Sequence, residues 1–100
     1  MELTNEFQHI RNWAADKGIY AKGDIKTQYL KLMEEAGELA NAIIEGDDDE
    51  IQDAIGDMVV VLTSIAHFNY TPIEDCINSA YEVISKRKGK MINGSFVKNK

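Results

Sequence analysis

Cysteine is almost missing from these 100 residues: Cys76 stands alone, so no internal disulfide can form and no Cys-x-x-Cys pair exists for zinc or redox chemistry. It is expected as a small core residue. Histidine is scarce too, and neither His9 nor His67 has a partner at metal-ligand spacing, which makes each a surface or internally satisfied side chain. Long apolar runs are also missing. The longest, Met58 to Leu62, is far too short to cross a bilayer, and Met1-Glu2-Leu3-Thr4 lacks the charged and apolar regions of a signal peptide. The chain is therefore expected in the cytoplasm, with no membrane partner. No internal repeat or low-complexity stretch appears. Acid is absent from residues 86–100, which hold Lys86, Arg87, Lys88, Lys90, Lys98 and Lys100; the first 85 residues then keep five cations against seventeen acids, a charge of −12 within a net −6. Such an acidic body excludes duplex nucleic acid as the natural partner and suits an anionic small molecule reached through a metal.

What the chain does have is helical periodicity in a length that fits one domain, residues 1–100, with a modest core. A first helix is expected over 4–17, with Thr4 as N-cap, Gly18 as left-handed cap and Phe7, Ile10, Trp13 and Ala14 on its apolar side. Trp13 reads either as a core aromatic or as a platform on which a nucleobase stacks. After a Gly-rich turn from Gly18 to Gly23, Asp24 caps a second helix over 24–45 that stops at Gly46. The acidic run Asp47-Asp48-Asp49-Glu50 opens a third, over 48–69, where acids meet the helix dipole favourably. That helix is apolar nearly all round, which predicts burial in a bundle or against another subunit. Thr71-Pro72-Ile73-Glu74 has the form of a capping box and starts a fourth helix over 72–88, with Ile73, Ile77, Ala80, Tyr81 and Ile84 inward. In the remaining 89–100, Asn93-Gly94 predicts a turn between two short extended pieces. The expectation is an all-α, four-helix subunit with a short extended tail, small enough to complete its core as a homodimer or homotetramer.

The chemistry concentrates in Glu34-Glu35-Ala36-Gly37-Glu38 on the second helix and Asp53 and Asp57 on the third. Glu35 and Glu38 lie one turn apart on one helix face, and Gln28 and Lys31 extend that row backwards. The apolar stripe from Ile25 to Ile43 runs beside it, so Glu35 lies at the core's edge. Like charges there repel and lose hydration unless a cation compensates. Because the donors are all oxygens, Mg²⁺ or Mn²⁺ fits better than zinc. The competing reading is a solvated charged face, to which Glu34 belongs if it pairs with Lys31.

These residues resemble the MazG-like, all-α nucleoside triphosphate pyrophosphohydrolases, whose signature is Glu-Glu-x-x-Glu followed on the next helix by Glu-x-x-Asp. Glu34-Glu35-Ala36-Gly37-Glu38 completes the first half; Ala54-Ile55-Gly56-Asp57 matches the second except that alanine stands at the glutamate position. The resemblance implies Mg²⁺-dependent cleavage of a nucleoside triphosphate to monophosphate and pyrophosphate. It implies Glu35, Glu38 and Asp57 as metal ligands and Glu34 as the residue that orders the attacking water. It places the base near Trp13 and Gln28, with Lys31, Lys86 and Arg87 on the substrate side. Ala54 is the departure. Three readings of it stand side by side: Asp53 substitutes from the neighbouring position, the chain binds nucleotides without cleaving them, or alanine marks an inactivating substitution.

Overall fold

The computed structural model describes residues 3–99; Met1, Glu2 and Lys100, the last cation of the tail, lie outside the described residues. Five helices precede a two-stranded hairpin: α1 (Leu3–Asp16), α2 (Ile19–Lys22), α3 (Ile25–Glu45), α4 (Asp48–Phe68), α5 (Ile73–Ile84), β1 (Gly89–Ile92) and β2 (Ser95–Lys98). The four long helices are those expected. The fifth, α2, is a single turn wound from the Gly18–Gly23 connection. Because α1 already includes Leu3, Thr4 lies in its first turn and is not its cap, an offset of the size at which helix ends fray.

Local chemistry sets most boundaries. Asp24 accepts the Thr27 backbone N–H at 2.8 Å, and Asp47 accepts that of Glu50 at 3.1 Å, so both long central helices open on a carboxylate. Gly46 closes α3 at φ 69°, where a side chain would be strained, and the Asp47 N–H returns to the Ala42 carbonyl at 3.0 Å. Asn93 and Gly94 both adopt positive φ, as the tight turn of a two-residue hairpin requires, pairing Met91 with Phe96 and Lys90 with Val97.

Three expectations are corrected at the C-terminal end. Pro72 is the N-cap of α5 and no side chain caps it; the Thr71 hydroxyl instead donates to the Asn69 carbonyl, and Glu74 turns away to Arg11. Helix α5 stops at Ile84, four residues short of the expected 88, because Gly89 is already paired with Lys98 and the Asn99 N–H with the Lys88 carbonyl, so the chain must unwind first. Finally, only Ile73 of the expected inward stripe is partly covered; Ile77, Ala80, Tyr81 and Ile84 are exposed, and so is Cys76. The reason is geometric: α5 meets α1 and α4 but not α3, and the hairpin touches none of the helices.

Helix α4 organises the rest. It packs against each of the other four helices, most extensively against antiparallel α3, while α3 meets α4 alone. Its length and mean hydropathy would by themselves suit a membrane span, and 28% of that stretch is buried within the chain. The buried apolar residues are small, Ala14, Ala42, Ala54, Val61 and Ala66. Small side chains let helices approach closely and leave larger ones outside: half of Trp13 and most of Leu30 and Ile44 face solvent.

Candidate functional site

The α3–α4 pairing brings one row from each helix together. On α3, Gln28, Lys31 and Glu35 follow at steps of three and four; on α4, Asp57, Val61 and Ser64 do the same. All six line one cavity of about 350 Å³, closed on its third side by Trp13 from α1 and Ile19 from α2. Five of the site residues read from the sequence therefore share a single space. A second cavity of about 340 Å³, bounded by Glu6, His9 and Ile10, adjoins it across Trp13, Asp57 and Val60. Trp13 lines both cavities and is 48% exposed.

Glu35 is the unusual residue here. It is 5% exposed, and its Oε2 is buried without a hydrogen-bond partner. Its other oxygen, Oε1, lies 3.4 Å from Lys31 Nζ, which also stands 3.5 Å from Glu34. The hydrogen bond and charge of Glu35, followed by the charge of Glu34, hold the Lys31 ammonium above its ordinary pKa. The Glu38 carboxyl is likewise raised, first by its hydrogen bond with Glu35, then by the Glu35 charge, with Asp57 adding a smaller push. Carboxylates thus crowd one another across the two helices, and one buried oxygen has nothing to bind.

Not every expected residue enters. Glu38 lines a neighbouring cleft of about 320 Å³ with Glu45 and Glu50. Glu34 is exposed and paired with Lys31, as a solvated position predicts. Asp53 is exposed and lines none of these cavities, while Ala54 is 4% exposed at the buried motif position. Lys86 and Arg87 follow α5, which does not touch α3, and line none of them either. Among the described residues no three Asp, Glu, His or Cys side chains are close enough to hold a metal ion as they stand. The donor chemistry still fits a hard cation: oxygens only, two helices' carboxylates within mutual influence, and an orphaned Glu35 oxygen.

Sequence reading passed over Thr27 and Ser64, both on the cavity wall. Their signal was spacing, since Thr27 lies one turn before Lys31 and Ser64 two turns after Asp57. A larger cavity, about 490 Å³, lies between α1, α4 and the start of α5 and contains none of the acidic site residues. Its cation, Arg11, is already bound through both guanidinium arms to Glu74 at 2.6 and 2.7 Å.

Residues 24–92 match the family described as MazG nucleotide pyrophosphohydrolase domain. A protein of Haemophilus phage HP1 (strain HP1c1), described as an uncharacterized 18.2 kDa protein in the rep-hol intergenic region, is 35% identical over 69 residues, covering 69% of this chain and 42% of the phage protein. The chain thus spans about two fifths of that relative's length. No solved structure matches it.

Proposed function

The chain belongs to the MazG nucleotide pyrophosphohydrolase domain family, and from that membership we propose that it binds a nucleoside triphosphate and that its Ala54→Glu form splits the α–β phosphoanhydride. In that reaction water adds its oxygen to phosphorus, the bridging P–O bond breaks, and a monophosphate and pyrophosphate leave. The observation that carries the reading is the buried, half-unpartnered Glu35 carboxylate sharing a cavity with Asp57, Lys31, Gln28 and Trp13.

Each residue has work that follows from its chemistry. Glu35, Glu38 and Asp57 would hold Mg²⁺, with Mn²⁺ as substitute, which when bound offsets the carboxylate charge and polarises phosphoryl oxygens. Glu34, exposed beside them, orients the attacking water. Trp13 stacks on the base, and Gln28 offers it a donor and an acceptor. Lys31 reaches the phosphates once Glu35 is engaged elsewhere. Lys86 and Arg87 serve the phosphates only if they arrive from another copy. Asp53, exposed and one residue before Ala54, lies about a quarter turn round the helix from the missing glutamate's position, which makes it a poor replacement.

A second reading, a nucleotide-sequestering module without turnover, is favoured by Ala54 itself: a buried methyl at a motif carboxylate position leaves the ligand set short by one. The two are separated by pyrophosphate release. Ala54→Glu should raise it at least tenfold for some nucleotide with Mg²⁺. Equal inertness of both chains across all nucleotides with Mg²⁺ and Mn²⁺ would contradict the hydrolase and leave the binder. The exposed apolar residues of α3, α4 and α5 support a homodimer or homotetramer as the working form, and the acidic surface supports a cytoplasmic role apart from duplex nucleic acid and membrane.

A further inference from the structure

The cavity of about 490 Å³ between α1, α4 and the start of α5 has no part in the chemistry proposed above. Its size falls within the range of small-molecule sites, about 300–1,000 Å³. Its wall is aromatic. His67 lies face to face with Tyr20, the ring centroids 3.6 Å apart and the planes 8° from parallel. Phe68 stands 6.0 Å from Tyr20 and 5.9 Å from His67, nearly perpendicular to both, so it sits beside the stack and not over its end. His67 is exposed and lines the cavity, whereas Tyr20 does not. The stack therefore ends at the cavity, on the imidazole face that Tyr20 leaves uncovered.

Tyr70, on the same wall, has an unusual backbone. Its N–H returns to the His67 carbonyl at 2.9 Å and the Thr71 N–H to the Ala66 carbonyl at 3.0 Å, the double closure that ends a helix on a left-handed residue. Glycine suits that position best, yet a tyrosine holds it at φ 58° with 97% of its surface in water. The fold gains no packing from this ring, and strain kept beside a cavity points to a ligand. Charge narrows the class. Glu74 occupies both arms of Arg11, the cavity's cation, so none is free for a phosphate, and Asp75 adds an acid alongside. Thr63, 1% exposed, donates its hydroxyl proton to the Val59 carbonyl and Thr71 donates its own to Asn69, which leaves each with lone pairs that accept. We propose that this cavity binds an uncharged nucleoside or nucleobase, stacked on His67 and covered by Tyr70, its N–H or O–H groups donating to Thr63 and Thr71, with no metal.

The site shares no residue with the acidic row, so the two can fail separately. Adenosine, guanosine, cytidine and uridine are each titrated calorimetrically into the chain in excess chelator, and at least one should give a saturating heat. Tyr70→Gly installs the residue this backbone favours, so Tm should hold or rise while that affinity falls at least about fivefold, the loss expected for one stacking ring. Asp57→Asn should leave nucleoside affinity unchanged, and Tyr70→Gly should leave Mg²⁺-dependent triphosphate binding unchanged. Absence of saturable binding by all four nucleosides overturns the site. So does binding that survives Tyr70→Gly undiminished, because the folded chain would then have lost the cover without effect. Binding abolished by Asp57→Asn would put the nucleoside in the acidic cavity and overturn it as well.

Discussion

Glu35 concentrates the tension between stability and function. A buried carboxylate with one oxygen unpaired costs the fold, and the amide of glutamine in its place removes that charge while keeping its shape. Glu35→Gln is therefore expected to be neutral or stabilising by about 1 kcal/mol in metal-free buffer, and to abolish any rise in Tm on adding Mg²⁺. Thermal melts with and without Mg²⁺ check both halves; a large loss of stability in metal-free buffer would contradict this view of the site. Glu38 gives a pH signature. Its carboxyl is raised by Glu35 and then by Asp57, so ionising it costs the folded state: stability is whole below the ordinary glutamate range and falls as pH rises through the elevated value. Asp24, lowered by the backbone and hydroxyl hydrogen bonds of Thr27, and Glu74, lowered by Arg11, act oppositely, adding stability above the ordinary carboxylate range that is lost as pH falls through their depressed values. Glu38→Gln should flatten the first slope in a urea-midpoint series against pH and leave the second. The acidic row was legible in the sequence because one-turn spacing is local; that Glu35 would be more buried than Glu38 was not, since it depends on how α4 lies across it.

At the scale of elements, what was readable is what a few neighbouring residues decide. Asp24, Asp47, Gly46 and Asn93-Gly94 each set their boundary by contacts within five residues, and each is found where expected. Glu74 was misread for the complementary reason. As a capping residue it had a local role, but Arg11, 63 positions away, offers a paired hydrogen bond that a backbone N–H cannot match. That pair fastens the start of α5 to α1. A double-mutant cycle of Arg11→Ala and Glu74→Ala should give a coupling of about 1 kcal/mol, read from urea unfolding; additivity within 0.3 kcal/mol would mean α5 is held by Ile73 alone.

As a whole molecule the chain is open. Its radius of gyration is 15.9 Å, against about 13 Å for a compact chain of 100 residues. Helix α5 and the hairpin project from the body, with Tyr81, Ile84, Met91 and Phe96 in water. The sequence hinted at this in its short length and in a third helix apolar nearly all round, but not at which faces would be left over. That was decided by the choice of alanines at the α3–α4–α1 contacts. The role of the acidic helices can be measured on the chain as it is. Titrating a nucleoside triphosphate with Mg²⁺ into it calorimetrically should give a saturating heat that disappears in excess chelator and falls at least tenfold in affinity on Asp57→Asn. Binding that persists undiminished in chelator, or no binding of any nucleotide with Mg²⁺ present, would contradict it.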